Sequence, residues 1–231
     1  MHDTAMDLGR EFFKAYVRRD GNLKIVDIGA QDVNGSLRSV ATPGNQYIGV
    51  DFAEGKGVDV IIQDPYTLPF EAGSVDVVVS SSCFEHSEFF WMLFTEIQRI
   101  LKPSGLFYLN VPSNGYVHRY PVDCWRFYPD SGIALQNWGR RNGYQTVLLE
   151  SFTSMQKRDV WNDFVAVFAR DSRHAAEHPG RLQSTYKNYT NGYTVENGGA
   201  FTHATARQED QGLNLRKRTM RLLRGWYSGA R

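Results

Sequence analysis

Asp27, Asp51 and Asp64 each fall at or near the end of a short apolar run, and Gly29 closes the run that holds Asp27. Ser80, Ser81 and Ser82 end a fourth run and Asn110 lies near the end of a fifth. If these runs are adjacent strands, one rim of a sheet collects carboxylates that accept hydrogen bonds. It also carries a glycine whose missing Cβ lets a ligand reach the backbone. Asp51 stands twenty-two residues after Gly29, the spacing of an acid that receives two ribose hydroxyls. Asp64 can accept from an exocyclic adenine amine at the next strand end. His86 and His118 follow the fourth and fifth runs. There an imidazole within hydrogen-bond reach of an acceptor hydroxyl removes its proton near neutral pH.

The loop "IVDIGAQDVNGSL" narrows the choice of nucleotide. A G-x-G-x-x-G turn would need glycines where this chain has Gln31 and Asn34, so the cradle for a dinucleotide pyrophosphate is missing. A cofactor without a pyrophosphate fits better. The chain also has no G-x-x-x-x-G-K-[ST] phosphate loop and no G-x-S-x-G nucleophile elbow.

The elements that must hold these residues are readable from periodicity. Residues 23–29, 46–52, 58–64, 75–82 and 105–112 are short β-branched or aromatic runs without strict alternation, as in strands buried on both faces of a largely parallel sheet. Residues 7–17 place Leu8, Phe12, Phe13 and Tyr16 on one helical face. Phe90, Leu93, Phe94, Ile97, Ile100 and Leu101 repeat at helical spacing before Pro103 to Gly105, which predicts a crossover helix between the fourth and fifth strands. A further helix over 130–144 and two strands, 145–152 and 162–170, pairing as an edge hairpin complete a three-layer α/β sandwich of about seven strands.

Three stretches, "IVDIGAQD", "YIGVDFAEGKGVDVIIQDPYTLPFEAGSVDVVVSSSCFEH" and "EIQRILKPSGLFYLNVPS", resemble in order and spacing the motifs of class I S-adenosylmethionine-dependent methyltransferases. The resemblance spans roughly residues 22–170. It implies a Rossmann-like α/β/α sandwich whose seven-stranded, mostly parallel sheet ends in an antiparallel strand, with 1–170 as the domain and 171–231 as a C-terminal extension. It implies S-adenosylmethionine as cofactor, with Asp27, Gly29, Ala30 and Gln31 near the methionine end. Asp51 and Phe52 would then stand at the ribose, Asp64, Pro65 and Tyr66 beside the adenine, and Ser80 and Ser81 under the methyl donor. Gln31 and Val33 replace glycines usual in the family.

"HRYPVDCWRFYPD", with "DVNGS" and "CFEHSEFFW", resembles a bacterial subgroup associated with cell-surface polysaccharide gene clusters, which points to a sugar or glycan-precursor hydroxyl as acceptor. Another small-molecule or lipid-linked acceptor, and an inactive binding module on the same fold, are the alternatives. His118 is the favoured base because Arg119, Tyr120, Asp123 and Arg126 crowd its segment. His86 is the alternative, with an orienting role for the Glu85–His86 pair weighed against it. Asp123 and Arg126 are either an ion pair that fixes the loop or substrate contacts. Trp125, Phe127 and Tyr128 either stack on a sugar or pack in the core.

Composition sets outer bounds. A net charge of +1 over 231 residues argues against a whole-protein nucleic-acid footprint. Residues 171–231 hold ten Lys/Arg and five Asp/Glu, a net +5 that leaves −4 for the rest. This tail should be polar loop through residue 212, then a basic amphipathic helix around Leu215 to Trp226 able to contact a membrane, a partner or the protein's own core. Two cysteines, Cys83 and Cys124, in no paired pattern suggest buried thiols in a reducing cytoplasm, and no run of about 18 apolar residues could span a membrane. His174 and His178 stand four apart without a third ligand, so no zinc site is expected there and no metal is assigned to the site, while a magnesium requirement stays open.

Overall fold

The computed structural model describes residues 2–17, 21–157 and 160–206, so the basic helix expected around Leu215 to Trp226 lies outside the described residues. The chain runs α1 (Asp3–Tyr16), β1 (Lys24–Ile28), β2 (Gln46–Asp51), β3 (Val60–Ile61), β4 (Val75–Ser81), α2 (Phe90–Ile100) and β5 (Leu101–Pro112). It continues through α3 (Ser131–Arg141), β6 (Val147–Ser154), β7 (Asp163–Ala169) and β8 (Tyr189–Thr194).

The strands form one sheet in the order β3-β2-β1-β4-β5-β7-β6-β8. β1 pairs in parallel with β2 on one side and β4 on the other, β5 follows β4 in parallel, and β7 runs antiparallel to β5. Strand order therefore reverses between β1 and β4, and the crevice at their carboxyl ends is where an open α/β sheet binds ligands. The anticipated helices are present. α1 buries Leu8, Phe12, Phe13 and Tyr16 on one sheet face, where Phe12 stacks on Tyr108 at 4.5 Å. α2 and α3 cover the other face through Leu93, Phe94, Ile97 and Leu135.

Three expectations need correction. β3 holds two paired residues where seven were expected. It is an edge strand with one neighbour, and Asp59 leaves the ladder to accept from Gly49 N at 2.7 Å. β5 begins at Leu101 because the chain enters the sheet directly from α2, out of register opposite Asp76. Most consequentially, part of the polar stretch expected as loop forms β8, which pairs antiparallel with β6 and makes the sheet eight-stranded, so β6 is not an edge.

A buried acid explains how so polar a segment is held. Glu150 on β6 is fully buried and accepts hydrogen bonds from Tyr16 Oη and Leu182 N, each at 2.6 Å, and from Gln183 N and Nε2, each at 3.2 Å. One carboxylate thus ties α1, β6 and the strap before β8 together. Glu150→Ala leaves several buried donors without partners and is expected to cost about 3 kcal/mol or more of unfolding free energy, measurable by urea denaturation.

Candidate active site

A cavity of about 410 Å³ opens at the crevice between β1 and β4. Gly29 follows β1 with φ +80°, and a Cβ there would stand 2.6 Å from the Cβ of Cys83. The loop after β4 passes so close that only glycine fits. Gly29→Ala is expected to lose about 2 kcal/mol of stability through strain and crowding, read as a shift in the denaturant midpoint. Ser82, next to Ser81 in the opposite wall, also has a positive φ of 54°, a conformation that costs energy in a non-glycine residue.

Asp51 ends β2 and faces this cavity. Its Oδ2 accepts from Gln31 N at 3.1 Å and its Oδ1 from Ala53 N at 3.3 Å, which fixes the carboxylate while each oxygen retains a lone pair. Gln31 does not fill the site as a bulky substitute for glycine would. Its amide donates to Glu54 O at 3.0 Å, accepts from Tyr120 Oη at 2.7 Å and lies over Gly55, where a Cβ would come within 2.5 Å of Nε2. The close approach between loops is made by a glycine of the β2–β3 loop instead.

On the facing wall His86 and His118 meet edge to face with ring centroids 5.0 Å apart. His86 Nδ1 donates to Val122 O, so its proton is on Nδ1 and Nε2 is free; burial also lowers its basicity. His118 Nδ1 faces two acceptors, Asp123 Oδ2 and Tyr116 O, each at 3.4 Å, and its backbone N donates to Asp123 Oδ2 at 2.8 Å. Asp123 is gripped by Arg126 through bonds of 2.6 and 2.8 Å, and this bidentate contact holds its carboxyl down to about 2. Asp123 therefore stays ionised beside His118 Nδ1, which also has the Arg126 Nη2 donor at 3.5 Å. Its contacts are with the loop, not with the cavity.

The structure brings Gly29, Gln31, Asp51, Phe52, Ser81, His86 and His118 together in the cavity wall. The other sequence candidates lie elsewhere. Ala30 is buried beneath the loop, and Ser80 is spent on Ile28 O at 3.0 Å. Asp27 is buried under Tyr47 Oη at 2.7 Å, with burial pushing its carboxyl up to about 7. Asp64 accepts from Tyr66 N and Thr67 Oγ1 of its own turn at 2.9 and 2.8 Å. Pro65 is exposed, and the Tyr66 hydroxyl accepts from Phe89 N at 3.1 Å. Phe127 is core, packed on Phe90 at 5.0 Å, while Trp125 donates to Ser87 O at 3.0 Å. Cys83 lines the cavity, its thiol pushed up by burial; Cys124, expected to be buried, is exposed because it sits on the outer side of the loop after β5.

Residues missed by sequence reasoning are His2, whose Nε2 contacts Asp163 at 2.9 Å, and Tyr116 and Trp161 as wall residues, while Glu85, weighed with His86 as an orienting pair, lines the wall itself. No local signal marks His2 or Trp161, since each reaches the cavity from a distant element. His174 and His178 are not a paired site: the first contacts Glu177 at 2.6 Å and the second Ser104 O at 3.0 Å.

Residues 26–109 match the family model of a methyltransferase domain. The match begins in β1 and ends in β5, the half of the sheet that carries Gly29, Asp51 and Ser81. Solved structures share the fold. A 1,6-didemethyltoxoflavin N1-methyltransferase from Burkholderia thailandensis, solved with its substrate and S-adenosylhomocysteine, superposes with a TM-score of 0.57 at 15% identity, over 74% of this chain and 80% of its own. A chain from the complex of the Haloferax volcanii Trm112 methyltransferase activator with a methyltransferase gives 0.54 at 18% identity, over 73% and 90%. The cyclase SpnF gives 0.53 at 13% identity, over 73% and 81%. No curated protein sequence matches the chain. The architecture is thus a Rossmann-like methyltransferase fold, its sheet ending in β8 at one edge.

Proposed function

We propose that this protein is an S-adenosylmethionine-dependent methyltransferase acting on a hydroxyl, with a saccharide or glycan precursor as the favoured acceptor. The observation that carries the reading is that Gly29 and Asp51 share one cavity with His86 and His118. The residues fit the cofactor: Gly29 has no Cβ, Asp51 has lone pairs to spare for ribose hydroxyls, and the buried Ser81 hydroxyl has no partner among the described residues. Bound there, S-adenosylmethionine supplies a methyl group on sulfonium for in-line transfer to an acceptor oxygen.

The chain's own task is alignment and proton removal. Asp51 and Gly29 orient the adenosine and methionine ends. Asp123 holds the His118 ring from the Nδ1 side, so that Nε2 accepts the hydroxyl proton. Tyr116, Tyr120 and Trp161 offer aromatic faces, and Arg119 a cation, along the same wall, which suits a sugar ring that carries acidic groups.

Calorimetric titration with S-adenosylmethionine and with NAD tests the cofactor; tight binding of the first and none of the second is expected, and binding of neither rejects the reading. Transfer from labelled donor to nucleotide sugars, glycan fragments and small phenols then tests the acceptor. The cyclase with this fold motivates a second reading, in which the protein binds the cofactor without methyl transfer. Cofactor affinity with no transfer to any acceptor would favour it.

A further inference from the structure

Glu85 lines the cavity and is used by neither the donor role nor the proton-transfer role. Its side chain is fully buried, and among the described residues neither carboxylate oxygen has a hydrogen-bond partner. A buried acid so placed calls for a cation or a set of donors to satisfy it. Two histidines face it. His86 Nε2 stands 3.7 Å from Glu85 Oε1, and one ligand atom from each of Glu85, His86 and His118 lies within 4.8 Å of the others.

The surroundings of the histidines are those of ligands. His86 donates Nδ1–H to Val122 O, which fixes the ring and leaves the Nε2 lone pair on the side of Glu85. Metal-bound imidazoles are commonly oriented by such a bond from the far nitrogen to a carbonyl or carboxylate. His118 is held by Asp123, and the Arg126 charge nearby is balanced by its bidentate pairing with that same Asp123.

We propose that Glu85, His86 and His118 bind a divalent first-row transition-metal ion, with Zn²⁺ as its simplest representative. Two imidazoles with one carboxylate favour such an ion over Mg²⁺ or Ca²⁺, which prefer oxygen shells. Ligand atoms on a tetrahedral ion with bonds of about 2.1 Å stand about 3.4 Å apart. The Glu85–His86 pair is therefore close to its bound separation. His118, with about a third of its side chain exposed at 32%, needs only a small shift to close the set. Open coordination positions would face the cavity and take oxygen donors. The ion occupies a ring lone pair of His118, so proton acceptance by that residue belongs to the ion-free protein. The inference stands whether or not the protein transfers methyl groups.

The test uses full-length protein freed of metal with a chelator and then dialysed. Calorimetric titration with Zn²⁺ should show one equivalent bound, and Co²⁺ should give visible ligand-field bands that Zn²⁺ displaces. Glu85→Gln, of the same shape, and His118→Ala should each weaken Zn²⁺ binding at least tenfold, with circular dichroism confirming the fold, whereas His174→Ala should leave it unchanged. If one of the first two variants fails to fold, the other decides. No binding by the parent protein overturns the proposal, as does binding undiminished in the folded variants or lost in His174→Ala.

Discussion

Asp51→Ala is expected to lower S-adenosylmethionine affinity by about two orders of magnitude or more. A hydrogen bond to a charged group contributes about 1.5–3 kcal/mol, and the carboxylate is assigned two, to the ribose hydroxyls. Every 1.4 kcal/mol is about tenfold in the dissociation constant. The substitution also removes the acceptor for Gln31 N and Ala53 N, so the walls contributed by both loops lose their common anchor. The structural and direct effects separate in Asp51→Asn. Its amide oxygen can still accept from Gln31 N, while the charge and half of the acceptor capacity are gone, so its loss should be intermediate. Calorimetry on the three proteins gives the comparison. Equal affinity in the parent and Asp51→Ala would remove Asp51 from the cofactor site.

That this acid could be singled out beforehand reflects how parallel sheets work. β1, β4 and β5 are largely buried on both faces and β2 is buried over Gly49 to Asp51, so their apolar runs are continuous and their ends abrupt, and the polar residue at each end is conspicuous. Helices with one buried face, such as α1 and α2, were legible for the same reason. β8 was not. Its sequence, Tyr189 to Thr194, is polar, and what makes it a strand is the exposed edge of β6 together with the Glu150 contacts to Leu182 and Gln183. No window of a few residues contains that information.

The site divides along the same line. Gly29, Asp51 and Ser81 belong to single strand ends, and the sequence places them. Asp64 was assigned to a strand end, but β3 stops at Ile61 and the carboxylate falls in the following turn, where it serves Tyr66 and Thr67. His2 and Trp161 enter through tertiary contact. In the sequence the absent second glycine implies a change of ligand, and the geometry adds a second reason: Gln31 is a link among three loops, made possible by Gly55 beneath it.

His118→Gln should spare cofactor binding and reduce turnover, measured with labelled donor, by about 10²–10⁴-fold, the range for a positioned general base. The preference for His118 over His86 follows from what each ring already does. His86 is half-buried and bonded to Val122 O, and burial disfavours the charged form it would adopt on taking a proton. His118 is more open, and its ring is held from the Nδ1 side with Asp123 Oδ2 at 3.4 Å, which leaves Nε2 to meet the acceptor. Asp123→Asn supplies the discriminating measurement. An amide keeps much of the shape but can turn its NH₂ toward the ring and favour the wrong tautomer, so turnover should fall while the acceptor KM and the cofactor affinity change little. If His118 only binds the acceptor, its replacement raises KM with kcat unchanged. If His86 is the base, His118→Gln leaves turnover intact and His86→Gln abolishes it.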